Sequence, residues 1–275
     1  MNIHEILEIK KSQIIGLSEI ESLSKDSKNN QIILPLGQRN FDEVLEGGFY
    51  SGKKYVIFGP NKTGKTQLCH QLCVQAYKHF QEIFGLKNDS FIYYFDTENT
   101  FRPERIEELL APTKFEINRV LKKILISKIM SNSALLLALK DFERNIVKGT
   151  GGILIIDTIN NHFGSDLGNK NLAFQIARDR FIRILEIINE ITNKHNLITI
   201  LTSQVVSNFS KKDVIQEIPL GYQFLNHFFS EFVYLSKENK ENKEKNYVQL
   251  VNSLNHPEKK VLYIIASKGI LDYKI

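Results

Sequence analysis

The segment YVIFGPNKTGKTQLC, Tyr55 to Cys69, restricts the fold more than any other feature of this chain. A β-branched and aromatic run stops at Gly59-Pro60, and Gly64-Lys65-Thr66 opens a helical pattern. Strand, G-x-x-x-x-G-K-[ST] loop and helix, in that order, make a phosphate-binding loop of Gly59, Pro60, Asn61, Lys62, Thr63, Gly64, Lys65, Thr66 and Gln67. The glycines let backbone N–H groups turn inward around phosphate oxygens, and the helix N-terminus adds its positive end. Lys65 is placed to meet the β- and γ-phosphates, and the Thr66 hydroxyl to ligate Mg²⁺.

Around this loop the chain alternates strand and helix. Strand-like runs lie at 55–58, 91–95, 123–127, 152–157 and 197–203, and helical patterns at 65–80, 103–110, 132–147 and 172–194. Apolar strands separated by helices predict an α/β fold with a mostly parallel sheet between helix layers. After Gln204 the pattern changes to a polar segment and strands around 230–236, 246–251 and 260–266, an antiparallel C-terminal extension. The mixed-sign run SKENKENKEKN reads as a solvated hairpin tip. Residues 1–33 have helical spacing and end in SKDSKNNQ, which predicts a short helical arm and linker before a core spanning 34–275.

Composition narrows the class without choosing a function. With 275 residues, 42% hydrophobic and 24% charged, the chain can bury one large core. A net charge of +5 permits an acidic partner but does not demand one. Cys69 and Cys73 lie four apart on a helix with no second ligand pair, so they read as packing residues. The N-terminus interrupts its apolar pattern with charges, unlike a signal peptide. No apolar run approaches the roughly 20 residues that span a bilayer. The expectation is an intracellular protein without a membrane partner.

A Mg²⁺ site beside the loop needs a second oxygen anchor. Asp157 closes the apolar strand GGILIID and supplies it. Attack by water needs a base, and the strand FIYYF runs into Asp96-Thr97-Glu98 at the sheet edge where ligands of open α/β sheets collect. On that fact alone, Glu98 is equally well read as a surface carboxylate.

Five segments together resemble the RecA/RadA recombinase ATPases in their archaeal and eukaryotic branch. They are LGQRNFDEVLEGGFYSG, GPNKTGKTQLCHQLCV, YYFDTENTFRPERI, ILIIDT with the later ILTSQVV, and PLGYQFLNH. They run in order from about residue 34, and DTE-x-TFRPER is far more specific than the phosphate loop. The resemblance implies ATP with Mg²⁺. It assigns Glu98 to activation of the attacking water, Arg105 to the adenine and Gln204 to sensing the γ-phosphate. It sets His227 and the Pro257 of NSLNHPEK against a neighbouring subunit's nucleotide.

The resemblance also places single-stranded DNA on two segments read as flexible loops, the glycine-bearing and polar 159–171 and 205–220, the second with Lys211 and Lys212. His162 and Phe163 are read either as stacking on bases or, for Phe163, as packing on the domain.

Some positions depart from the pattern. Asn99 stands in place of a glycine, Ser203 in place of an asparagine, and Lys170 about where an arginine is kept. Phe174-Gln-Ile-Ala177 has the letters of a polymerisation motif but lies in a helical pattern. Full-length strand-exchange enzymes carry an N-terminal helical domain, whereas about 33 residues precede the core here. The resulting expectation is a DNA-repair ATPase paralogue that binds ATP, Mg²⁺ and single-stranded DNA and assists a recombinase filament, in the cytoplasm of a prokaryote or the nucleus of a eukaryote. The alternatives are an autonomous strand-exchange enzyme and an interaction module clamped by ATP with negligible turnover.

Overall fold

Strands apolar on both faces need cover on both sides, and the computed structural model shows how this chain provides it. It describes residues 31–84, 91–146, 152–208, 215, 217–240, 243–253 and 257–273. The chain divides after Ile32, and Ile33–Ile275 forms one unit. The expected helical arm falls, up to residue 30, outside the described residues.

The unit opens with β1 (Ile33–Leu34), α1 (Arg39–Val44) and β2 (Phe49–Tyr50), with β1 and β2 paired as a small antiparallel ribbon. The phosphate-loop strand β3 (Lys54–Phe58) leads into α2 (Lys65–Phe84). Then come β4 (Phe91–Asp96), α3 (Pro103–Leu110), α4 (Ile117–Leu121), β5 (Ile124–Lys128) and α5 (Asn132–Asn145). After them follow β6 (Gly152–Asp157), α6 (Asn161–Gly168), α7 (Phe174–His195) and β7 (Ile198–Ser203). The last part comprises β8 (Val205–Ser207), β9 (Glu217–Pro219), α8 (Tyr222–Phe228), β10 (Glu231–Lys240), β11 (Lys243–Asn252), β12 (Lys260–Ala266) and β13 (Gly269–Asp272).

Among the described residues the main sheet runs β13-β12-β11-β10-β3-β7-β6-β4-β5. The six strands from β10 to β5 are parallel, and β10 to β13 are antiparallel to one another. β10 is antiparallel to β11, as expected around 230–236, and it also closes the parallel sheet against β3.

One layer of core sets Val56, Phe95, Leu154, Ile156 and Leu201 against Leu139, Phe181, Ile184 and Ile188 of α5 and α7. The opposite face is covered by α2, where Leu68, Cys69, Leu72 and Cys73 are fully buried. Burial pushes both thiols well above their ordinary pKa, in keeping with a packing role. Helix ends follow local rules: Ser131 accepts the Ala134 N–H at the start of α5, Pro103 opens α3, and left-handed Asn196 (φ 51°) ends α7. No described helix is long and apolar enough to cross a membrane.

The expectation that 159–171 is a flexible loop needs correction, since eight of those residues form α6. Phe163 causes the difference: it is 1% exposed and stacks on Phe181 with centroids 4.2 Å apart and planes 7° apart. Its ring packs on the domain and is closed to bases. His162 Nε2 donates to the Ile129 carbonyl at 2.8 Å. In the second segment, β8 and β9 pair as a hairpin, while Lys211 and Lys212 lie outside the described residues.

Candidate nucleotide site

Parallel pairing brings the C-terminal ends of β3, β4, β6 and β7 to one edge of the sheet, where Lys65, Thr66, Glu98, Asp157 and Gln204 gather, while Arg105 does not line the cavity they share. Gly59 (φ 151°), Lys62 (φ 67°) and Gly64 (φ 91°) turn the loop inward. A Cβ on Gly59 would lie 2.0 Å from the Leu235 carbonyl oxygen, and one on Gly64 2.9 Å from Ile265 Cδ1. The loop walls a cavity of about 280 Å³ lined also by Lys65, Thr66, Gln67, Glu98, Asp157, Gln204 and Ile265. Tyr263 Oη donates to the Thr63 carbonyl (2.5 Å), so the C-terminal meander braces the loop from behind.

The donor set of the cavity would suit phosphate and a hard cation. Lys65 Nζ donates to the carbonyls of Gly59 (2.6 Å) and Pro60 (3.0 Å) at the loop mouth. Burial pulls its pKa below the ordinary value, while Asp157 and Glu98 oppose that shift. Thr66 Oγ1 donates to Asp157 Oδ2 at 2.8 Å, so the two oxygen groups expected to anchor Mg²⁺ are adjacent. Asp157 also accepts from Tyr94 Oη (2.9 Å) and from Thr202 Oγ1. It is 1% exposed, and burial raises its pKa against those three hydrogen bonds. One hydroxyl and one carboxylate suit Mg²⁺, which keeps waters and takes its other oxygens from substrate phosphate.

Gln204 Nε2 donates to Glu98 Oε1 at 2.7 Å, joining across the cavity the residue expected to sense the γ-phosphate and the one expected to activate water. Glu98 owes its position to Asp96, whose carboxylate accepts the N–H groups of Glu98, Thr100 and Phe101 and folds the chain sharply after β4. Asn99 sits in that turn at φ 56°, a left-handed conformation that asparagine tolerates best after glycine. The backbone therefore keeps the glycine-like shape although the side chain differs. Arg105 donates from Nε to Gln67 Oε1 (2.6 Å) and from its two terminal nitrogens to the carbonyls of Ser267 (2.5 Å) and Ala266 (3.0 Å). His227 and Pro257 are exposed and do not line the cavity.

The sequence reading missed His70, Tyr94, Asn160, Thr202 and Ile265. Tyr94 and Thr202 each precede the end of a ligand-bearing strand by one or two positions, a signal that period-2 alternation carries. His70 has a sharper geometry. Its Nδ1 faces the Thr66 carbonyl at 2.7 Å and so carries the proton; its Nε2 accepts the Arg102 N–H at 2.9 Å. Its ring stacks on Phe101, so α2 and the turn leading to α3 are held together.

Burial lowers the pKa of His70 below its ordinary value. The folded chain then takes up this proton less readily than the unfolded chain. The neutral ring's contribution to stability is therefore complete above about pH 6.5 and is lost as pH falls below it. His70→Gln, whose Oε1 keeps an acceptor for Arg102, is expected to flatten the fall in Tm between about pH 7 and pH 5. Identical pH slopes for the two proteins would contradict this.

Comparisons with known proteins agree with the geometry. The family profile described as Rad51 matches residues 27–273. The chain is 28% identical over 253 residues to the meiotic recombination protein DLH1 of Candida albicans, covering 90% of this chain and 75% of that protein. It is 27% identical over 267 residues to the DNA repair and recombination protein RadA of Cenarchaeum symbiosum (strain A), covering 93% of this chain and 65% of that protein. With the RadA protein of Aeropyrum pernix the identity is 30% over 241 residues, covering 86% and 72%. The chain thus spans about two thirds to three quarters of the length of these relatives. A loop of the phosphate-binding pattern, a Thr66–Asp157 pair and a Glu98–Gln204 pair at one sheet edge, within a match over nearly the whole chain, lead to one conclusion: this chain belongs to the Rad51 family of RecA/RadA recombinases.

Proposed function

We propose that this protein is a DNA-dependent ATPase of recombination and repair, a recombinase paralogue that binds ATP·Mg²⁺ and single-stranded DNA and assists a recombinase filament. The observation that carries this reading is the Glu98–Gln204 bond beside the Thr66–Asp157 pair in one cavity. A structural phosphate clamp would need the second pair but has no use for the first.

In this reading the loop N–H groups and Lys65 hold the triphosphate, and Thr66 and Asp157 hold Mg²⁺. The metal ion supplies neutralisation of charge on the phosphate oxygens. Glu98 orients a water and takes its proton, and its bond to Gln204 restrains the carboxylate until γ-phosphate enters. Gln204 leads straight into β8, so phosphate occupancy bears on the 205–220 segment. His227 and Pro257, exposed in the single chain, face the nucleotide of a neighbouring subunit, either another copy or a recombinase. A nucleotide bound at such a junction strengthens assembly by linkage.

ATP turnover by the purified protein, with and without single-stranded DNA, tests the proposal. DNA stimulation supports it, and turnover absent under both conditions contradicts it.

A further inference from the structure

We infer that Asn160 is a positioning residue that ties Leu220 and the paired strands β8 and β9 to Gln204 so that they shift together; this rests on the reading of Gln204 as the residue that meets the γ-phosphate.

Asn160 lies between β6 and α6 and is fully buried. Its Oδ1 accepts the Gln204 N–H at 2.9 Å. Its Nδ2 donates to Ser203 Oγ (2.8 Å), the Gln204 carbonyl (3.0 Å) and the Leu220 carbonyl (3.0 Å), so two amide hydrogens serve three oxygens. The Leu220 N–H in turn donates to the Gln204 carbonyl at 3.0 Å. One side chain thus gathers both ends of the segment that runs from Gln204 to Leu220. Between those ends, Val205 pairs with Pro219 and Ser207 with Glu217.

The far end is anchored beyond Leu220. A Cβ on Gly221 (φ 80°) would lie 3.1 Å from the rings of Phe163 and Phe181, so the chain there packs tightly on α6 and α7. The near end carries the Gln204 side chain, whose Nε2 meets Glu98 and, at 3.5 Å, Asn161 Oδ1. A change in the Glu98–Gln204 contact shifts the Gln204 backbone against this anchor. With Asn160 in place the shift must be shared by Leu220 and by the pairs between. Without it, the Gln204 N–H and the Leu220 carbonyl lose their buried partner and the shift stays local.

The position also accounts for a departure in the sequence. Ser203 stands where the resemblance predicts an asparagine, and the amide is found across the strand ends on Asn160, bonded to that serine.

The test compares single-stranded DNA affinity with a non-hydrolysable ATP analogue and with ADP, for wild type, Asn160→Ser, Asn160→Asp and Ser203→Ala. Wild type is expected to favour the analogue by a factor on the order of 5–150. Asn160→Ser removes the amide and is expected to bring that ratio to within about twofold while ATP affinity is retained, since Asn160 does not line the cavity. Asn160→Asp keeps Oδ1 but not the Nδ2 donors, and it serves if the serine variant fails to fold; the same collapse is expected. Ser203→Ala removes one of three acceptors and is expected to keep most of the ratio.

An unchanged ratio in either folded Asn160 variant overturns the inference. If wild type itself shows no nucleotide dependence, the functional reading fails on its own, and amide hydrogen exchange decides the matter of Asn160. Faster exchange at both Gln204 and Leu220 in the variant sustains it, and faster exchange at Gln204 alone overturns it.

Discussion

Lys65→Ala is expected to lose ATP binding and turnover together, by at least about 10²-fold in kcat/KM. The side chain lines the cavity at the start of α2, and its ammonium already rests at the loop mouth on the Gly59 and Pro60 carbonyls. Burial that lowers its pKa also strengthens its pull on a phosphate, because little water competes there. The fold should survive, since Lys65 sits outside the apolar core. Equilibrium binding of a fluorescent ATP analogue checks the first half and steady-state turnover the second. Wild-type affinity in the mutant would exclude this cavity as the phosphate site.

Glu98→Gln is expected to separate the two effects. An amide at this position keeps a hydrogen-bonding oxygen for Gln204 Nε2, so the geometry of the cavity and its affinity for ATP should remain near wild type. Proton removal from water is lost, and turnover should fall on the order of 10²–10⁴-fold. The comparison is a KM-against-kcat split: kcat falls and the nucleotide dissociation constant holds. A variant with nearly full turnover would make Glu98 an orienting group for Gln204 and not a base.

The strand–loop–helix unit at 54–84 and the place of Asp157 at a strand end were legible because each depends on adjacent residues, whereas Glu98 was told from a surface carboxylate only through the resemblance. A β-branched run, a Gly-rich turn and a helix occupy adjacent residues, and an acidic residue closing an apolar strand is visible in six letters. The nine elements expected from strand and helix patterns between residues 54 and 203 recur with ends shifted by a few residues at most. What stayed hidden depends on register between distant strands. Asn160 and Ser203 meet only because β6 and β7 are adjacent and parallel, which places Ile156 opposite Leu201. The antiparallel pairing of β10 with β11 follows from their adjacency in sequence; the direction of its other pairing, with β3, is set by the route of the chain through α8.

The misread of 159–171 has a different origin. Gly164, Asn160 and Asn161 weigh toward a loop, but burial of Phe163 between Phe181 and Phe224 outweighs helix propensity. Asn99 shows the converse case. The letter departs from glycine, yet its backbone stands at φ 56°, so the turn that delivers Glu98 is preserved.

The most direct test of the account measures steady-state ATP turnover by the purified wild-type chain in Mg²⁺, without DNA and with saturating single-stranded DNA, beside Glu98→Gln under the same conditions. The account predicts turnover that rises with single-stranded DNA and falls on the order of 10²–10⁴-fold in the variant. Turnover that is absent in both conditions, or present and equal in wild type and Glu98→Gln, would contradict it.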